Sequence, residues 1–145
     1  MTVHAHQDPA CLPADAGAYA LLLGTCEPLA LPVPRPNGCT LPPGLYVYLG
    51  NAYGPGGIAA RVRRHLRPAK RPRWHIDHVL PHAEVRNVLA WPGGSECVWR
   101  RWLGELGAAA PVRGLGSSDC RVCPAHLLRV PDDAVVLGGG PSAQF

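Results

Sequence analysis

The sequence predicts an α+β domain, and three observations carry that expectation. Residues 18–25 form a continuous apolar run that suits a buried strand. The stretch Leu45-Tyr46-Val47-Tyr48-Leu49 is aromatic and β-branched, which favours a second strand. Ile58, Val62 and Leu66 then recur at helical spacing, so a helix follows with one apolar stripe.

Taken in order, residues 1–16 read as a lead-in. They carry His4, His6, Asp8 and Asp15 and lack the basic-then-apolar order of a signal peptide. The first strand is followed by a connection over 26–43 that holds six prolines and an Asn37-Gly38 turn. Proline has no N–H to give a ladder, so this stretch is a long hairpin connection outside the sheet interior. The second strand covers 44–50, and alternation puts Tyr46 and Tyr48 on one face and Leu45, Val47 and Leu49 on the other. Gly54-Pro55-Gly56-Gly57 turns the chain into a helix over about 58–67, stopped by Pro68. A short helix over 74–80 is bounded by Pro72 and Pro81, and Val85, Val88 and Leu89 mark a third strand over 84–90. Ser95 is placed as the N-cap of a helix running to about residue 106, with Glu96 in its first turn. Residues 126–130 and 134–137 each have strand character, and 139–145 form a tail. The domain proper covers residues 17–138.

At 145 residues the chain is one domain's worth, and no apolar run approaches the length of a membrane span. A cytoplasmic protein with no membrane partner is the expectation. The formal charge of +4 is unevenly spread. Seven of the fourteen basic side chains fall within one stretch: Arg61, Arg63, Arg64, Arg67, Lys70, Arg71 and Arg73. His65, His75 and His78 add latent charge there. A cluster of this density can neutralise several phosphates, and arginine grips phosphate oxygens with two donors each. Nucleic acid is the expected partner, ahead of a merely solvated helix face.

Breaking a phosphodiester needs an in-line nucleophile, charge relief on the phosphoryl oxygens and help for the leaving oxygen. Glu96 can give a carboxylate to Mg²⁺ or Mn²⁺, and the helix N-terminus favours its ionised form. Arg61 can bind a non-bridging oxygen. Tyr19 and Tyr48 can position or deprotonate the attacking water, the latter only if a cation such as Arg61 lowers a phenol that ordinarily titrates near pH 10. His65 lies four residues beyond Arg61, so the two share a helix face, and it is a candidate proton shuttle or phosphate contact. Arg64, Arg67, Lys70, Arg71, Arg73 and His75 are the candidate substrate contacts.

A second chemical signal lies near the C-terminus. Cys120-x-x-Cys123 has the thiolate spacing of a zinc knuckle, and His126 can be a third ligand for Zn²⁺. No second pair sits at that spacing, so a fourth ligand must come from afar, with Cys39, Cys97 and His75 as the candidates. Buried metal-free thiols and a redox dithiol are the alternatives.

Gly17-Ala18-Tyr19, Tyr48-Leu49-Gly50, Arg61-x-x-x-His65 and Glu96, in that order, resemble the GIY-YIG nuclease superfamily. Gly-Ala-Tyr stands for its first tripeptide and Tyr-Leu-Gly for its second. The likeness extends over about residues 17–106. It implies a small central antiparallel three-stranded sheet flanked by helices, here with a Cys-containing C-terminal extension. It implies a Mg²⁺-dependent endonuclease, with the two tyrosines, the arginine, the histidine and the metal-binding glutamate falling on Tyr19, Tyr48, Arg61, His65 and Glu96. A further histidine of some members falls on His75. The strings Tyr46-Val47-Tyr48-Leu49-Gly50-Asn51-Ala52, Arg64-His65-Leu66-Arg67, Trp74-His75-Ile76-Asp77 and Gly116-Ser117-Ser118-Asp119-Cys120 are similar to one archaeal and bacterial branch of unknown function. That branch is sometimes attached to DNA-repair glycosylases, which implies DNA as the substrate and repair proteins as partners. The chain departs from the superfamily in its longer first connection, in the loop extended by Tyr53-Gly54-Pro55-Gly56, and in offering no evident late asparagine. Two rival expectations are a non-catalytic nucleic-acid-binding module and a small zinc-stabilised interaction domain.

Overall fold

The apolar run near the N-terminus is the central strand of the protein. The computed structural model describes residues 4–6, 12–31, 40–68, 71, 75–105 and 127–130. After β1 (His4–His6), the run forms β2 (Gly17–Thr25), and every residue of β2 is buried. A strand covered on both faces needs apolar side chains at every position, which is why no alternation is visible in its sequence.

The proline-rich connection contributes a small ladder of its own, β3 (Leu29–Ala30) against β4 (Thr40–Leu41). It returns the chain as β5 (Gly44–Ala52), antiparallel to β2 over its whole length, with Tyr19 opposite Gly50 and Leu21 opposite Tyr48. Helix α1 (Gly57–Leu66) follows, then two 3-10 turns, His75–His78 and Leu80–His82, where a single short helix is expected from the sequence. Pro81 falls within the second turn, and such short tight pieces suit a segment bounded so closely by proline. Next come β6 (Glu84–Pro92), α2 (Glu96–Glu105) and β7 (Leu127–Arg129).

Among the described residues the sheet therefore has five strands, in the order β1-β6-β2-β5-β7, where three are expected. The expected three form its antiparallel centre, each nine residues long. The difference comes from short edge strands. Three residues before Gly17 pair with β6, and β7 pairs with β5. Strand β7 falls within residues 126–130, which the sequence gives strand character. The three residues of β1 lie in the stretch read as a lead-in and carry too little pattern to be read as a strand. The candidate strand at 134–137 lies outside the described residues.

The alternation of β5 sorts the core into two layers. On one face Tyr19, Leu21, Leu23, Tyr46 and Tyr48 pack with Ile58 and Val62 of α1 and with Ile76 and Val79. On the other, Ala18, Ala20, Leu22, Val47 and Leu49 pack with Trp99, Trp102 and Leu103 of α2. Trp91 and Trp99 meet there edge to face, with centroids 5.9 Å apart and planes at 89°. The body of α1 thus covers the tyrosine face and the body of α2 the opposite one.

The lead-in also takes part in this architecture. Helix α1 has no side-chain cap and no acid in its first turn. Its first amides are satisfied from the lead-in instead: Ile58 N–H donates to Asp15 O and Ala59 N–H to Pro13 O, both at 2.9 Å. Backbone carbonyls here do what a capping side chain ordinarily does.

Candidate active site

The two motif glycines are spaces that the packing requires. A Cβ on Gly17 would stand 2.4 Å from the Trp91 carbonyl oxygen and 2.6 Å from Gly93 N, so β6 can approach β2 only at a glycine. A Cβ on Gly50 would lie 2.3 Å from both Cζ and the hydroxyl oxygen of Tyr19. The Tyr19 ring lies across Gly50, as their cross-strand pairing dictates. Its hydroxyl is thereby carried to the end of the sheet where β2 begins and β5 and β6 finish.

Helix α1 delivers His65 to the same place from its buried side. The Tyr19 hydroxyl and His65 Nε2 are 2.5 Å apart, and both residues are buried. The His65 ring stands at 78° to the Tyr48 ring with centroids 5.6 Å apart, and the two phenol rings are 6.3 Å apart. Arg61, one turn earlier on α1, is half-buried.

Burial pushes the Tyr19 phenol well above its usual range, and the neighbouring Tyr48 adds to this. Burial also lifts Tyr48, and the Glu96 carboxylate reinforces the shift. The Arg61 guanidinium pulls both phenols down, and Glu96 pushes both up, so both charges lie near enough to act on the same pair of phenols. Burial outweighs the cation. The Arg61 charge therefore acts on the phenols, but it does not make either one a free phenolate near neutral pH.

Glu96 is the first residue of α2, whose body lies on the far face of the sheet. The charge of the carboxylate still acts on the tyrosines because it stands at the sheet's end. Ser95 holds the helix start, with Val98 N–H donating to Ser95 Oγ at 3.4 Å and Trp99 N–H to Ser95 O at 3.1 Å. The carboxylate is fixed from β5 by Asn51, whose Nδ2 donates to Oε1 at 2.8 Å. Asn51 was not among the residues expected at the site, although it follows the second motif directly. Its signal in the sequence is its place in the string over 46–52, as a polar residue at the end of an apolar strand.

The basic cluster divides by role. Arg64 donates from its two terminal nitrogens to the two carboxylate oxygens of Asp77, at 3.2 and 3.1 Å, and to the Arg71 carbonyl at 3.4 Å. The Asp77 side chain is fully buried. Arg64 thus ties the turn after the cluster back to α1, and its fork is already committed to a carboxylate. Arg67 and Arg71 are exposed. Lys70 and Arg73 lie outside the described residues, as do the side chain of His75 and the whole of Cys120, Cys123 and His126. Among the described residues there is no cluster of three or more His, Cys, Asp or Glu side chains able to hold a metal. No described helix is long and apolar enough to cross a membrane.

The chain matches the family model of DUF123, a domain of unknown function, over residues 18–137. It belongs to that family. The match begins within β2, ends beyond β7, and so takes in Tyr19, Tyr48, Asn51, Arg61, His65 and Glu96. No curated protein and no solved structure matches the chain.

Proposed function

We propose that this DUF123 member is a Mg²⁺-dependent endonuclease of the GIY-YIG kind, acting on nucleic acid, with DNA in a repair or processing setting as its substrate. One cluster carries the reading. Tyr19 is bonded to His65, the Tyr48 ring packs near both, and Glu96 is held at the same sheet end by Asn51 of β5. The charges of Arg61 and Glu96 both act on the two phenols. A cation, an anion, two hydroxyls and an imidazole at one sheet end are what phosphodiester hydrolysis asks for.

The donor set fits a hard dication that keeps most of its waters. Glu96 offers one oriented carboxylate, and the rest of such a shell comes from water and substrate phosphate oxygens. When bound there, Mg²⁺ supplies charge relief to the phosphoryl group. Arg61 binds a non-bridging oxygen on the same group. Because burial keeps the phenols protonated, Tyr19 serves as a relay. With the imidazole proton on Nδ1, the Tyr19 hydroxyl donates to His65 Nε2. It passes that proton on as it accepts one from the attacking water. The new bond is water oxygen to phosphorus, and the bond lost is phosphorus to the leaving oxygen, which is reprotonated from solvent. Arg67 and Arg71 hold the flanking backbone.

The test is a panel of labelled single-stranded, duplex, nicked and flapped DNAs, incubated with Mg²⁺ or with EDTA. Cleavage by the wild type in Mg²⁺, lost in Glu96→Gln, is the expected result. Absence of cleavage across the panel, or equal cleavage by folded Glu96→Gln, would remove the proposal.

A further inference from the structure

Tyr53 is 60 % exposed, and among the described residues it is the only large hydrophobic side chain left in solvent. An exposed ring is usually mobile, but this one is held. Its hydroxyl donates to the Gly94 carbonyl at 2.5 Å. The receiving turn is itself rigid: Gly94 N–H donates to Trp91 O at 2.9 Å, Gly93 N–H to Ala16 O at 2.8 Å, and a Cβ on Gly94 would run into the Trp91 ring at 2.1 Å.

The position of the ring relative to the site follows from two parallel ties. Asn51 bonds Glu96, and two residues further along the chain Tyr53 bonds Gly94, two residues before Glu96. The ring therefore stands at the rim of the Tyr19–Glu96 site, on the loop that leads into α1. Gly54, next to it, has open space where a side chain would be. A fixed aromatic face, open to solvent and on the loop that leads into the helix carrying Arg61, is what a nucleobase stacks on when the phosphate of its own or the next nucleotide is held at the neighbouring site.

We propose that Tyr53 is a stacking platform for an unpaired base, and that the site therefore takes nucleic acid whose nucleotide at the scissile phosphate is single-stranded. A base inside a duplex has both faces covered by its neighbours, whereas an unpaired or terminal base has a face to offer. This inference rests on the nuclease reading for the phosphate's place, but its test does not need turnover.

The test is binding in EDTA, by fluorescence anisotropy, of a labelled single-stranded oligodeoxynucleotide and of the same strand annealed to its complement. An aminopurine base within the strand reports stacking by quenching. The wild type is expected to bind the single strand and quench the probe. Tyr53→Ala should weaken single-strand binding by about 5- to 150-fold, the range for loss of one stacked base, and abolish the quench. It should leave duplex affinity within about twofold, since backbone contacts are untouched. Tyr53→Phe keeps the aromatic face without its tie to Gly94 and should retain most of the affinity and the quench. Unchanged single-strand binding and quenching in Tyr53→Ala overturns the proposal, as does equal weakening on duplex or binding of neither probe by the wild type. Single-strand binding and quenching that need Tyr53, without cleavage by the wild type in Mg²⁺, would leave the platform standing and remove the nuclease reading.

Discussion

The Tyr19 hydroxyl and His65 Nε2 are 2.5 Å apart, although 46 positions separate them in the chain. The contact joins the first strand motif to the helix motif inside the core, and it exists because Gly50 lets the Tyr19 ring lie flat across β5. Two consequences can be measured, one in stability and one in activity.

Gly50→Ala puts a methyl group where the Tyr19 ring now lies. Because the obstructing atoms belong to a buried ring within a packed sheet, the variant should lose about 1–3 kcal/mol of stability. Any cleavage should fall with it, since the ring cannot move without breaking its bond to His65. Urea unfolding and the cleavage assay on the folded fraction check both. A Gly50→Ala protein as stable and as active as the wild type would show that the ring has room to move.

The buried phenols predict an alkaline weakness. An unfolded tyrosine ionises near pH 10, whereas burial holds Tyr19 and Tyr48 protonated well above that. Above about pH 10 the native state therefore binds more protons than the unfolded state, and stability falls as pH rises, by up to about 1.4 kcal/mol per pH unit for each phenol. The contribution is fully present below that pH and is lost as pH climbs towards the folded-state values. The Tyr19→Phe, Tyr48→Phe double variant should show a shallower alkaline slope in urea unfolding than the wild type. Equal slopes would mean that the phenols ionise as easily in the fold as outside it.

Arg64 and Asp77 should not be equivalent on removal. The Asp77 side chain is fully buried and that of Arg64 is 22 % exposed. Asp77→Ala frees an arginine that can turn to water, at a cost of about 1.5–3 kcal/mol for charged hydrogen bonds. Arg64→Ala takes two charged hydrogen bonds from a carboxylate that is fully buried and should cost more, about 3–5 kcal/mol. Paired denaturation curves check the order, and a less stable Asp77→Ala would reverse the assignment of which partner is trapped.

Glu96 separates binding from chemistry. Glu96→Ala should abolish Mg²⁺-dependent turnover while leaving DNA affinity in EDTA unchanged or slightly tighter, since a charge repelling the phosphates has gone. Loss of a favourable charge at a helix N-terminus typically costs only about 0.3–1 kcal/mol, so the fold should survive. Glu96→Gln keeps the shape, and its amide can still meet Asn51, so it isolates the role of the charge. Weaker DNA binding in EDTA by either folded variant would point to a contact role for this side chain.

The sequence by itself determined the central strands, α1, α2 and their order, because these are written in local periodicity. The unbroken apolar run of β2, the alternation of Tyr46 and Tyr48 against Val47 and Leu49, and the Ile58, Val62, Leu66 stripe each report their own environment. It also brought Tyr19, Tyr48, Arg61, His65 and Glu96 forward as candidates, through residue type and order. Only the tertiary structure decided how these groups are tuned and what supports them. The bond from Asn51 to Glu96 crosses 45 positions and that from Arg64 to Asp77 crosses 13. Neither leaves a mark on local pattern. The edge strand at His4–His6 and the capping of α1 by Pro13 and Asp15 are equally silent, since backbone groups bond without regard to side-chain identity. The same holds for the phenols. A tyrosine in a strand looks alike in sequence whether it is wet or dry, and here desolvation by the packed core, more than the nearby arginine, sets what it can do.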